Sequence, residues 1–424
     1  MADTSRLKVC IVAINAYPAI DDQVPGTFGG IETRSWLMAR ALARLPDLEV
    51  SFVVRHWAPL RQNEYEGVKL HLIRDRLFQQ RDSLLSRLER TSGFPGFKLR
   101  HPHLSDAFYL PLLAGMKFLR GKNDPLRPSQ LLQQIDCDLF LSFGVQSHSA
   151  TVISSAHSTD RPAVLFLGSD SDLDERYMPG NNYTSVYRDS GDICYHVIQE
   201  ADEILCQTPR QRELLSSRFD RNGTVIPNPI DLEQWDRLAK APIRVPLEST
   251  PYALWVGRAD PVHKQPQHLI ELAKLCPEVR FLMIMNPRDD VCEARIRETA
   301  ASNVQIVDRV PFSEMPALYN KASMFINTSS LEGFPNTFLQ AAASAIPVLS
   351  LNVEGEFLER TQAGFCANGD LNALADHVRT LWSEPQDFSQ ARRYVEQHHN
   401  IEQTTRLLAD SLRSTYSSWT SRTL

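Results

Sequence analysis

The chain has 424 residues, of which 42% are hydrophobic and 23% charged. At about 150 residues per domain, that length predicts two or three globular domains rather than one core. A balance of 45 basic against 51 acidic residues gives a net charge of −6, which argues against a general nucleic-acid binder. No apolar run reaches the roughly 18 residues that span a bilayer. The first residues lack a basic stretch followed by a long apolar one, so no cleaved leader is expected. Seven cysteines stand singly, none in a C-x-x-C pair, which fits a reducing cytoplasm and suggests neither a zinc site nor a redox dithiol.

Along the chain, Lys8 to Ala13 is a short Val- and Ile-rich run, the mark of a buried parallel strand. A loop with Gly26, Gly29 and Gly30 follows, then a helical pattern from Glu32 to Leu45 and a second strand at Val50 to Val54. This strand, loop, helix, strand order is a βαβ unit. Further strands are expected at Leu139 to Phe143, Ala163 to Leu167, Glu203 to Gln207 and Thr224 to Ile226. Pro227-Asn228-Pro229 breaks the pattern, and the polar stretch to Pro251 reads as the connection between domains.

The same grammar then restarts. Strands are expected at Tyr252 to Gly257, Phe281 to Met285, Val304 to Val307, Met324 to Asn327 and Val348 to Leu351, with a helix at Gln267 to Cys276. The tail from Ala391 to Tyr416 is one long helical pattern. Residues 69–128 stand apart: 12 Lys or Arg against five Asp or Glu give +7, leaving −13 for the rest. The bland reading is a solvated helical insertion. The sharper one is a surface for an anionic acceptor or a membrane face.

Chemistry concentrates in the second half. The stretch Asn327-Thr-Ser-Ser-Leu-Glu-Gly-Phe-Pro-Asn-Thr-Phe runs off a strand into a helix, with Pro335 suited to the first helical position. The leading N–H groups of Asn336, Thr337 and Phe338 then favour a phosphate. Glu332, beside that anion site, suits sugar hydroxyls. Arg258, at the end of the first strand of this half, and Lys264 supply two cations where a doubly wound sheet binds its ligand. They would neutralise a diphosphate leaving group. The glycine loop lacks the G-x-G-x-x-G spacing of a dinucleotide fold.

Taken in order, Gly29-Gly30-Ile31-Glu32, Ile226-Pro-Asn-Pro-Ile-Asp231, Val256-Gly-Arg258 with Lys264, Val310 to Tyr319 and Glu332-Gly-Phe-Pro-Asn336 form a set. With Ala391 to Val395, this set resembles the family 4 retaining glycosyltransferases. The resemblance implies the α/β GT-B fold: two facing Rossmann-like, doubly wound domains with a cleft between them. The expected boundaries are 1–230 for an acceptor-binding domain, 231–395 for a nucleotide-sugar-binding domain, and 396–424 for a helix packing back on the first. It further implies that Arg258 and Lys264 hold the donor diphosphate, with Gly29 and Gly30 as the facing wall. Glu332 would bind donor-sugar hydroxyls. Gly333, Phe334, Asn336 and Thr337 would hold sugar and phosphate through their backbone, and Arg309 and Val310 would lie near the base.

Two positions depart from that pattern. Gln340 stands where the family has a Glu that binds ribose, and an amide oxygen can still accept those bonds. The family's His near the reacting carbon is missing; Asp170, in Gly168-Ser-Asp-Ser-Asp172, could take a positioning role or merely cap a helix. Asp170-Ser-Asp172 also has the form of a metal-binding D-x-D. Two cations and a helix end already supply positive charge, so neither metal nor other cofactor is expected. The expected partners are a nucleotide-sugar donor and a saccharide or lipid-linked acceptor, with membrane contact through 69–128 and no nucleic acid. A nucleotide-sugar epimerase and a catalytically degenerate binding protein are the rival readings.

Overall fold

A computed structural model describes residues 6–26, 29–90, 97–99, 102–120, 124–185, 187–248, 251–330, 332–354 and 357–423. The first five residues, read for a leader, lie outside it. The strands of the first half are β1 (Leu7–Val12), β2 (Leu48–His56), β3 (Glu64–Tyr65), β4 (Val68–Arg74), β5 (Leu88–Arg90), β6 (Phe97–Leu99), β7 (Leu139–Phe143), β8 (Ala163–Phe166), β9 (Glu203–Cys206) and β10 (Thr224–Val225). Eight of them form one sheet in the order β10-β9-β8-β7-β1-β2-β4-β3, parallel except for the β3–β4 edge pair. The apolar runs are continuous because both sheet faces are covered: β7 and β8 are buried at every position.

The second half holds β11 (Tyr252–Arg258), β12 (Phe281–Asn286), β13 (Val304–Val307), β14 (Ala322–Asn327), β15 (Val348–Ser350) and β16 (Gly364–Cys366). Their order, β13-β12-β11-β14-β15-β16, is a parallel doubly wound sheet. In both sheets the strand order reverses beside the first strand, at β1/β7 and β11/β14, and the crevice beyond those carboxyl ends is where such folds bind ligands.

Four expectations need correction. The 69–128 segment is not wholly helical: Val68–Arg74 pairs parallel with β2 as part of the sheet, because Val68, Leu70 and Leu72 alternate into the core. Beyond Arg74 come helices Phe78–Arg87 and Asp106–Arg120 and the short antiparallel β5–β6 pair. The tail is two helices, Ser389–His398 and Ile401–Thr423, broken where Ile230 N–H donates to His399 O at 2.8 Å and Ile401 N–H to Ile230 O at 3.2 Å. Pro335 precedes the Asn336–Ala343 helix as its cap residue instead of opening it. The connecting stretch also contains a helix, Leu232–Ala239.

The Ile401–Thr423 helix lies on the first domain, with Leu408, Ala409 and Leu412 fully buried in the same core as β1 and β2. Arg413 grips Asp47 through Nε at 2.9 Å and Nη2 at 2.7 Å, and the Trp419 ring stacks on His157. The chain therefore crosses between domains twice, at Pro227–Ile230 and at His399–Asn400, and the two crossings run side by side.

Candidate active site

Lys264, Thr328, Ser329 and Glu332 meet beyond β11 and β14. Thr328 Oγ1 accepts from Trp255 Nε1 at 2.9 Å and donates to Lys264 O at 2.7 Å, so the buried β11 tryptophan fixes the loop carrying Lys264. The Lys264 ammonium pairs with Glu332 Oε1, and Ser329 Oγ donates to the same oxygen at 2.8 Å. Arg258 closes β11. Arg288, from the loop after β12, is a cation that sequence reasoning missed. Its pKa is lowered by burial first and by the Arg258 charge second, although Asp260 lies 3.6 Å away. Arg288 and Arg258 thus lie within electrostatic range of each other, with the Asp260 carboxylate beside Arg288.

The turn after Glu332 faces the first domain closely. A Cβ added to Gly333 would sit 2.7 Å from Ser169 Cα and 3.1 Å from Asp170 N, so only glycine allows this approach. Asn336 Nδ2 donates to Gly30 O at 3.2 Å. The Gly30–Leu42 and Asn336–Ala343 helices thus present their N-terminal ends to one another across the cleft. Phe338 N–H donates to Pro335 O at 3.0 Å, so Asn336 and Thr337 lead the helix. Gly29 N–H donates to Glu32 Oε2 at 2.8 Å, which makes Glu32 a cap for its own helix.

Two expected residues, Val310 and Phe334, have their side chains engaged in packing. Val310 is packed in the second core with Met315 and Leu318. The Phe334 ring stacks on His399, 5.2 Å between centroids, leaving its carbonyl to accept from Asn228 Nδ2 at 3.3 Å. Asp170 Oδ1 accepts from Gln211 Nε2 at 3.0 Å, and Arg210 lies 3.7 Å from its other oxygen. Asp172 instead turns inward, accepting from Gly168 N at 2.6 Å, and burial lifts its pKa to about 6. The two carboxylates of the D-x-D therefore point apart.

Gln340 lines a small cavity of about 40 Å³ with Thr33, Leu37, Asn336 and Phe312. It adjoins a groove of about 640 Å³ between the domains, which shares Thr33, Leu37, Gln234 and Phe312 and is lined by Arg309, Arg40 and Arg61. That volume lies within the range of small-molecule sites.

A buried hub links the two walls. Asn228 Oδ1 accepts from Arg34 Nη1 at 2.7 Å, and its Nδ2 reaches Gln207 Oε1 at 3.0 Å and Asn336 Oδ1 at 2.9 Å. Its carbonyl meets His399 Nδ1 at 2.8 Å. Arg34 is 3% exposed, lies over the Phe166 ring, and has its pKa lowered to about 9 by burial. Tyr187, from the first domain, is half-exposed over the same cleft. Burial first, then Asp172, raises its hydroxyl to about 12, and Arg258, Glu32 and Glu332 also act on it. The signal for Asn228 was in plain view: an amide held between two prolines at a domain crossing. Arg34 and Tyr187 gave none, since a helical arginine and a loop tyrosine are ordinary.

With this geometry in hand, residues 250–384 match the family model described as "Glycosyl transferases group 1". The solved sucrose-phosphate synthase of Thermosynechococcus elongatus superposes with a TM-score of 0.68, covering 97% of this chain and 100% of that one at 15% identity. Anabaena HepE in complex with UDP-glucose gives 0.64, over 96% and 100%, at 14% identity. The fold is GT-B. Among curated proteins, the O-antigen chain mannosyltransferase B of Escherichia coli is 29% identical over 136 residues, 30% of this chain and 35% of that one. Glycogen synthase of Mycobacterium tuberculosis is 25% identical over 200 residues, 45% and 47%. The chain thus spans about a third to a half of the curated relatives it matches.

Proposed function

We propose that this chain is a retaining glycosyltransferase, moving a hexosyl unit from a nucleotide diphosphate sugar to a hydroxyl of a saccharide or lipid-linked acceptor. The observation that supports the reading is the Lys264–Glu332 pair beyond β11 and β14, with Arg258 at the end of β11 and the Asn336–Ala343 helix beginning just after Glu332. The matched "Glycosyl transferases group 1" region contains all of them. A groove large enough for a nucleoside continues past Gln340 to Arg309.

The diphosphate takes the Lys264 ammonium from Glu332, and the released carboxylate accepts from sugar hydroxyls. The bond from the anomeric carbon to the leaving phosphate oxygen breaks, and its electron pair stays with the diphosphate. The acceptor oxygen bonds to that carbon on the same face, and its proton passes to the departing phosphate. The protein contributes position and charge stabilisation. In this reading Asp170 and the Ser169 backbone crowd the sugar from the first domain, Tyr187 covers it, and positive charge comes from side chains and a helix end rather than from a metal.

Thermal shift against a panel of nucleoside diphosphates identifies the donor base, and turnover of the matching nucleotide sugar with saccharide acceptors tests the transfer. Lys264→Ala is expected to lower turnover by two orders of magnitude or more, about 2–4 kcal/mol of transition-state stabilisation, with the melting temperature of the free protein held. Near-normal turnover in that variant removes the assignment.

A further inference from the structure

The Asp106–Arg120 helix presents an apolar ridge that nothing among the described residues covers. Leu104, in the turn before it, is fully exposed; Phe108 is 66% and Leu112 37% exposed. Ala107, Pro111 and Gly115 are exposed between them. Positions 104, 108, 112 and 107, 111, 115 fall on one face at helical spacing. In a helix on a globular core this face would be the polar one.

The ridge is held in place. Asp106 accepts from Arg87 Nη1 at 2.6 Å, from Arg87 Nη2 at 2.8 Å and from His103 N at 2.7 Å. This fork brings the carboxyl down to about 2 and ties the two helices of the insertion together. The insertion also rises from the ligand end of the first sheet. It leaves from the carboxyl end of β4, and Arg55, at the end of β2, lies 4.9 Å from the Phe78 ring centre.

Charge selects the occupant. Segment 69–128 carries +7 on a chain that is otherwise −13. Arg74, Arg76 and Lys98 are exposed there. An apolar ridge in a basic segment suits the boundary between headgroups and acyl chains in an anionic bilayer, with the side chains inserted and the cations at the phosphates. We propose that this ridge docks the protein on an anionic lipid surface, so that the cleft meets an acceptor carried by a membrane lipid. The acceptor half of that statement rests on the transferase reading; the docking half does not.

Co-sedimentation of the full chain with vesicles of phosphatidylcholine, alone and mixed with phosphatidylglycerol, tests it. Binding to the anionic vesicles is expected, falling with salt. Leu104→Ser with Phe108→Ser should reduce it tenfold or more, as should Arg76→Glu with Lys98→Glu. Both pairs lie on the surface, so melting temperature and nucleotide thermal shift should be unchanged. No vesicle binding, equal binding to both compositions, or binding that survives both pairs of substitutions would overturn the proposal. So would a dimer on gel filtration that the serine pair dissolves, since a second copy would then be the occupant. If nucleotide binding fails while vesicle docking holds, the transferase reading falls and the docking stands.

Discussion

At Gly333 a hydrogen in place of a methyl group decides how closely the two domains approach. The site a Cβ would take is 2.7 Å from Ser169 Cα, and that neighbour is backbone, which cannot swing aside. Gly333→Ala should therefore hold the cleft apart near the sugar without touching either core. Turnover is expected to fall tenfold or more while the melting temperature changes by less than about 2 °C. Steady-state kinetics beside a melting curve checks both, and an unchanged kcat would show that the approach has no catalytic role. Arg258 and Lys264 drew attention in the sequence only as members of an ordered set of motifs, since two cations after a strand are by themselves ordinary surface residues. Arg288 was not legible: it lies 30 residues away, and only the parallel register of β11 with β12 brings Asn286 level with Arg258.

Among elements, the segment where the tail helices break is the informative one. His399 is nine-tenths buried between Phe334, Phe357 and Tyr394, and its Nδ1 donates to Asn228 O. Burial lowers its pKa to about 4 from an ordinary 6.5. The folded protein thus favours the neutral ring. The unfolded chain gains a proton as pH drops below 6.5, so stability is lost progressively from there down to about 4. The linkage is worth on the order of 3 kcal/mol for a group so buried. Asp172 works in the opposite sense, since its raised pKa lets the folded state hold a proton up to about 6. The comparison to make is therefore between wild type and His399→Asn, with Asp172 common to both. The stability gap between them should narrow between pH 6.5 and 4.5 in denaturant melts. A gap independent of pH would mean that His399 titrates normally. The strands and the Asn336 helix were readable because their apolar runs and flanking turns are local. The break at His399 was not, for it is imposed by pairing with Ile230, which no periodicity records.

For the whole molecule, the second domain is an insertion in the first. Leu408, Ala409 and Leu412 complete a core whose other members begin at Val9. Removing residues 401–424 would bare that surface. Two buried leucines at about 2 kcal/mol each amount to roughly 4 kcal/mol, or about 10 °C in melting temperature for a domain of this size. Circular dichroism of the truncated chain should show an early transition for the first domain, with the second melting where it did. A single unshifted transition would mean that the helix is ornamental. The two-domain plan was visible in sequence as a grammar that stops at Pro227 and restarts at Tyr252. Strand β4, next to the sheet edge, was hidden inside a charged segment, where the count of basic residues masked a short alternation.

The long terminal helix also sets an order of events at the ribosome. The amino-terminal half emerges without the part of its core that Leu408, Ala409 and Leu412 fill, and it stays so while some 170 further residues, from Asp231 to Asn400, are translated. Vectorial synthesis normally lets the leading domain finish first. Here the carboxyl-terminal domain is poised to mature earlier, and the leading one is sealed only when the final helix leaves the exit tunnel.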